Sequence, residues 1–95
     1  MSEPERSPDW KQPHLRVVRV QTGVRIEWRM LKVLKALAEY FDITLGDLLE
    51  GIVLHAFEGK SAFDEQTRQQ IAALKAVYGM DYDASASHHL FEESH

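Results

Sequence analysis

Three side chains that can form paired hydrogen bonds with nucleic acid recur near the start of the chain. Arg19, Gln21 and Arg25 occupy odd positions of the stretch VVRVQTGVRI, and the small residue Gly23 stands between them. An arginine can donate two parallel hydrogen bonds to the edge of guanine, and a glutamine can pair in a similar way with adenine. These residue types give the stretch one basic, hydrogen-bonding face, while an ordinary solvated surface is the alternative interpretation.

Patterns typical of a catalytic or metal centre are not found in the sequence. It has no phosphate-binding glycine loop, no nucleophile elbow and no cysteine, so a thiolate site is excluded. The adjacent His88 and His89 do not have the spacing of zinc ligands, and Asp81 and Asp83 are most simply turn residues. We expect a protein that is not an enzyme, with no catalytic residue, no metal site and no cofactor.

Charge is divided unevenly along the chain, although the formal net charge is -4. Residues 11–35 hold seven lysines and arginines against Glu27 alone, whereas residues 36–95 hold eleven carboxylates against three cations. Because ordinary salt screens charges over about 8–10 Å, the local field matters more for phosphate binding than the total. The distribution predicts one basic end that can approach nucleic acid.

The alternation around Arg19 predicts the element that positions these side chains. Even positions from Val18 to Ile26 are mostly apolar, which is the period of a β-strand with one buried face. We find no second convincing strand, and an unpaired strand leaves backbone groups without partners. The simplest partner is the same strand of a second chain, related by a two-fold axis. The sequence thus predicts a homodimer.

Three helices are predicted after this strand, and they divide the chain into three parts. Apolar residues recur with the helical period in residues 27–41, in the helix that Thr44 caps, and in residues 64–78. We predict a flexible N-terminal arm over residues 1–14, a dimerisation and DNA-binding domain over residues 15–59, and a C-terminal helix with an acidic tail over residues 60–95. No apolar run is long enough to cross a membrane, so we expect no membrane partner and a cytoplasmic location.

Residues 17–57 resemble the ribbon-helix-helix family of DNA-binding proteins. The likeness is carried by VRIEWRMLKVLKALAEYFDITLGDLLEGIVLHAF, in which ALAEYFDITLGDLL resembles the family's turn between two helices. The resemblance implies a mainly α fold: an intertwined homodimer in which one N-terminal strand pairs across the two-fold axis, here with a third C-terminal helix added. In the family, the paired strands enter the major groove.

The resemblance also implies roles for individual residues. By it, Arg19, Gln21 and Arg25 would contact bases, and the amides of Thr44, Leu45 and Gly46 would hold a phosphate at a helix N-terminus. Arg29 would contact a flanking phosphate. The sequence departs from the family pattern at Asp42, which replaces a common glycine, at Leu45 and Gly46, where basic and hydroxyl residues are frequent, and at Glu27, which replaces a common proline.

The function expected from these observations is that of a homodimeric transcriptional regulator that reads the major groove with a two-stranded ribbon. Its expected partners are a second copy, with a tetramer also open, and double-stranded DNA. A protein partner of the C-terminal region is a further possibility, as in antitoxins of this family. The alternative is a dimerising interaction module on the same fold that does not bind DNA.

Overall fold

The computed structural model describes residues 15–93 of the 95-residue chain. The predicted flexible arm, residues 1–14, lies outside the described residues. The elements are three α-helices and one short 3₁₀ turn in the order α1 (Trp28–Phe41), α2 (Leu45–Phe57), α3 (Glu65–Tyr78) and Ala84–Ala86. No helix in residues 15–93 combines the length and the apolar composition needed to span a bilayer.

The predicted β-strand is absent, because residues 15–93 contain no strand. Residues 15–26, which we call the N-terminal segment, have no regular secondary structure, and Val18 and Val20 are 92% and 80% exposed. The predicted ribbon-helix-helix class, with one strand pairing across an intertwined homodimer, is therefore wrong. The physical reason is that a strand needs a neighbouring strand to complete its hydrogen bonds, and residues 15–93 supply none.

The first helix has the two ends that its sequence indicated. Glu27 stands at the N-cap, where its carboxylate accepts a hydrogen bond from the backbone N–H of Met30 at 3.2 Å. Asp42 adopts the left-handed conformation, with φ 59° and ψ 44°, and its backbone N–H closes the last turn. Asp42 therefore does the work that glycine usually does at such a position.

The second helix begins at the predicted cap, Thr44, and the third begins at Asp64, where the sequence left Ser61 and Asp64 as alternatives. The Thr44 hydroxyl accepts a hydrogen bond from the N–H of Asp47 at 3.0 Å, and the Asp64 carboxylate accepts one from the N–H of Thr67 at 2.8 Å. The predicted range of α3, residues 64–78, agrees with the structure to within its cap. Gly79 ends this helix in the left-handed conformation that the sequence indicated.

A small apolar core holds the three helices together, with α1 in contact with both α2 and α3. Leu37, Ala38 and Leu48 form its buried centre. Five partly buried side chains surround them: Leu34, Ile52, Phe63, Ile71 and Leu74. The molecule is elongated, with extents of 58 × 32 × 25 Å. Such a core leaves much apolar surface on the outside of the bundle.

Candidate nucleic-acid interface

Six cationic side chains are distributed along the N-terminal segment and the first turns of α1. We call this set the basic surface, and its members are Arg16, Arg19, Arg25, Arg29, Lys32 and Lys35. Lys32 and Lys35 are exposed and three residues apart, so they are neighbours on one side of the helix. Within residues 15–93, neither these lysines nor Arg16 form an ion pair. These three groups are available to an anionic partner.

Arg19 is held by carboxylates of α2. Its guanidinium donates two hydrogen bonds to Glu50, at 2.8 and 2.7 Å, and lies 3.8 Å from Asp47. The hydrogen bonds and charge of Arg19 lower the pKa of the Glu50 carboxyl. The side chains of the pair are 63% and 48% exposed, so water screens the attraction and the net stabilisation is small. A phosphate can therefore compete with Glu50 for Arg19.

Arg25 is paired with Glu92, close to the end of the described chain, through two hydrogen bonds from its guanidinium. This pair is even more exposed than the first, at 83% and 64%. Gln21, the third predicted base-contacting residue, is exposed in the N-terminal segment. The three predicted side chains thus share one exposed segment, and both of the arginines meet carboxylates of the same chain.

Arg29 has a structural position that the sequence did not reveal. Its guanidinium donates to Glu27 at 2.9 Å and to the carbonyl of Gly79 at 3.0 Å, and it lies 3.4 Å from Asp81. It also lies 5.5 Å from the ring centre of Tyr82, within the range of a cation–π interaction. Because its side chain is only 30% exposed, Arg29 is a weaker candidate for phosphate contact than Lys32 or Lys35.

Among the described residues, Glu27 and Tyr82 have the most strongly shifted pKa values, and their side chains are hydrogen-bonded to each other. The Tyr82 hydroxyl donates to the Glu27 carboxylate at 2.6 Å. Burial raises the pKa of the Glu27 carboxyl, but hydrogen bonds from Tyr82, Arg29 and the backbone outweigh it and lower the pKa to about 2. Burial, followed by the bond to Glu27, raises the pKa of Tyr82 to about 12. Glu27, the single carboxylate within residues 15–35, therefore stays ionised and is ion-paired with Arg29.

The backbone amides predicted to hold a phosphate at the start of α2 are present, but the charge around them disfavours an anion. The amides of Leu45 and Gly46 have no partner within the helix, as at every helix N-terminus, and Gly46 is exposed. However, the Thr44 hydroxyl already accepts the hydrogen bond of the Asp47 amide, and the carboxylate of Asp47 lies in the same first turn. This negative charge opposes an incoming phosphate, so the basic surface is the better anion site.

Similarity to known proteins does not decide between these sites. No family model, curated protein or solved structure matched the chain. The assignment of the site therefore depends on geometry and charge alone.

Sequence reasoning missed the carboxylate partners that lie far along the chain from Arg19, Arg25 and Arg29. Arg19 and Glu50 are separated by 31 positions, Arg25 and Glu92 by 67, and Arg29 and Asp81 by 52. No local pattern connects residues so far apart, because only the packing of α1 against α2 and α3 brings them together. The single available signal was the excess of acid after residue 36, which indicated that intramolecular pairing was possible.

Proposed function

We propose that this protein is a homodimeric DNA-binding protein of the kind that regulates transcription. The proposal rests mainly on one observation: from residue 15 to residue 35 the chain carries six cationic side chains, five of them exposed and Arg29 partly buried, against one carboxylate, Glu27, which is ion-paired with Arg29. The resemblance of residues 17–57 to DNA-binding proteins and a cytoplasmic location are parts of the same proposal. It does not include the two-stranded ribbon, for which residues 15–93 offer no strand.

Two kinds of contact are proposed for the basic surface. Arg16, Lys32 and Lys35 bind backbone phosphates, since they are exposed and unpaired within the described residues. Arg19 and Arg25 exchange their carboxylate partners for phosphate or for base edges, since a guanidinium binds all of these through the same fork of N–H groups. Phosphate contacts supply affinity, and any sequence preference comes from Arg19, Gln21 and Arg25.

Salt dependence provides the test of this proposal. With Arg16, Lys32 and Lys35 of each chain on phosphates, a homodimer makes six contacts, and affinity for random duplex DNA should fall about 1,000-fold between about 50 and 200 mM salt. The double variant Lys32→Gln, Lys35→Gln should bind more weakly and reduce the log–log slope by about 2 for each chain, and so by about 4 for the homodimer. The quantity to measure is the dissociation constant at each salt concentration, by fluorescence anisotropy.

A matched control removes the same charge from another part of the chain. Lys60 and Arg68 are exposed cations after α2 and on α3, each paired with a carboxylate of the same chain. The double variant Lys60→Gln, Arg68→Gln should leave the slope unchanged. Absence of binding at the lower salt concentration would refute the proposal, and so would an equal loss of affinity in the two double variants.

A second candidate function is a protein-interaction module that does not bind DNA. It is favoured by one observation, that Arg19 and Arg25 are already engaged by Glu50 and Glu92. The variant Glu50→Gln separates the two candidates, because it removes the charged partner that holds Arg19 most closely and leaves only Asp47, at 3.8 Å. DNA binding predicts that affinity for duplex DNA rises in this variant, whereas an interaction module shows no DNA affinity before or after the change.

A further inference from the structure

The chain turns back toward the basic surface after α3. Residues 80–93, which we call the C-terminal segment, start beside α1, where Asp81 lies 3.4 Å from Arg29 and Tyr82 donates to Glu27. Near the other end of the segment, Glu92 is paired with Arg25. The segment is therefore attached at both ends to the surface proposed to bind DNA.

The charge of the C-terminal segment is opposite to that of the surface it contacts. It carries four carboxylates, from Asp81, Asp83, Glu92 and Glu93, and neither lysine nor arginine. Two of these carboxylates lie on arginines of the basic surface. Because a carboxylate and a phosphate accept hydrogen bonds from the same fork of a guanidinium, a carboxylate there and a phosphate exclude each other.

We propose that the C-terminal segment is an internal competitor of nucleic acid, which is anchored on Arg29 and occupies Arg25 until a phosphate backbone displaces it from Arg25. This inference rests on the proposed function and names a regulation of the same surface. Competition of this kind is reciprocal: the segment weakens DNA binding by the factor by which bound DNA weakens the attachment of the segment.

The attachment of the segment is weak enough to be reversed. The Arg25–Glu92 pair is largely exposed, and Leu90 and Phe91 beside it are 51% and 93% exposed. A groove of about 470 Å³ lies among α1, α3 and the segment, with Met30, Ile71 and Met80 among its walls. A segment that packs loosely and has exposed ion pairs is displaced at low cost. It therefore tunes affinity and does not block the surface permanently.

Removal of the two contacting carboxylates tests the competition in the full chain. Each exposed ion pair weakens DNA binding by a factor of roughly 1.5 to 5. The double variant Asp81→Asn, Glu92→Gln should therefore bind duplex DNA roughly 2- to 20-fold more tightly at low salt. Its log–log salt slope should be steeper by about 1 for each chain, and so by about 2 for the homodimer, since Arg25 is freed to bind phosphate whereas Arg29 stays on Glu27 and Gly79.

The control is the double variant Glu58→Gln, Glu65→Gln. It removes two other exposed carboxylates that are paired with Lys60 and Arg68, and it changes the net charge by the same amount. Under the proposal its salt slope equals that of the wild type. If both double variants gain the same affinity with no change in slope, only net charge matters and the competition is disproved.

An NMR titration examines the contact without DNA and separates the two proposals. The hydrogen bond and charge of Arg25 lower the pKa of the Glu92 carboxyl, and the variant Arg25→Gln should return that pKa to its ordinary value. An ordinary pKa in the wild type would refute the contact itself. If the pKa is lowered and the wild type binds DNA, but the carboxylate variants bind no more tightly, the competition is refuted and the proposed function stands. A lowered pKa with no DNA binding by any variant refutes the proposed function, and the competition with it.

Discussion

Glu27, the single acidic residue within residues 15–35, has three simultaneous roles. It caps α1 through Met30, it pairs with Arg29, and it accepts a hydrogen bond from Tyr82. Its side chain is only 19% exposed, so these bonds are less screened than those of the surface ion pairs. The family resemblance identified Glu27 as a departure, and the structure gives it a stabilising role that a proline there cannot have.

The substitution Glu27→Gln should lower the free energy of unfolding by about 1–3 kcal/mol at neutral pH, because Tyr82 and Arg29 lose a charged acceptor. Urea denaturation followed by circular dichroism measures this change. The matched control is Glu39→Gln, the same substitution at an exposed position of α1, which should change stability by less than about 0.5 kcal/mol. Equal effects of the two substitutions would contradict the role of Glu27.

Acid should remove the contribution of Glu27. Its folded pKa, about 2, lies below the ordinary value of 4.5, so the stabilisation is complete above about pH 4.5 and is lost as the pH falls toward 2. The difference in unfolding free energy between the wild type and Glu27→Gln should therefore shrink over this range. Urea denaturation at a series of pH values measures it, and a difference that stays constant would show that the charge of Glu27 is not involved.

The helices owe their boundaries to local chemistry, and this is why the sequence predicted them well. Thr44 and Asp64 cap α2 and α3 with their side chains, and Asp42 and Gly79 end α1 and α3 in the left-handed conformation. Each of these signals involves residues within four positions of one another. Tertiary contacts therefore did not need to be known for the helices to be placed.

The cap of α2 should make a measurable contribution to stability. Thr44→Ala removes the acceptor of the Asp47 amide and should lower the free energy of unfolding by about 1 kcal/mol, whereas Thr44→Ser should retain most of it. Thr22→Ala in the N-terminal segment serves as the control, because Thr22 is exposed and lies outside every helix. Urea denaturation compares the three variants, and a loss in Thr44→Ser as large as that in Thr44→Ala would argue against capping.

The N-terminal segment shows where a local pattern is insufficient. Its alternation of apolar and polar residues satisfies the rule for a strand, yet residues 15–26 make no backbone–backbone hydrogen bond within the described chain. Its β-branched residues and Gly23 also disfavour a helix. The hydrogen bonds of a helix lie within one segment, whereas those of a strand join two segments. A helix can therefore be predicted from its own residues, and a strand cannot.

At the scale of the whole molecule, the apolar surface exceeds what the small core can cover. Val18 and Val20 of the N-terminal segment and Leu54 and Phe57 of α2 are all more than 60% exposed. The pairing of Arg19 with Glu50 brings the segment to α2, and Leu54 lies one turn beyond Glu50 on the same face. Large apolar side chains exposed in this number are typical of an association site, which supports the homodimer in the proposal.

The homodimer can be tested by light scattering over a range of concentrations. The wild type should have the mass of two chains, and Val18→Lys with Leu54→Lys should raise the dissociation constant at least about tenfold, since two apolar side chains would no longer be buried on association. Val77→Lys on α3 is the control, because Val77 is 72% exposed and belongs to neither the N-terminal segment nor α2. A wild type that stays monomeric at every concentration would rule out the homodimer.

The sequence by itself determined the three helices, their caps and the concentration of positive charge in residues 11–35, because each depends on residues close together in the chain. Only the tertiary structure decided which charges are paired. It placed Glu50, Asp81 and Glu92 on arginines of the basic surface. It also showed that the alternating segment has no neighbouring strand within residues 15–93. Ion pairs and strands join residues that are distant in sequence, and packing of the helices is what brings such residues together or keeps them apart.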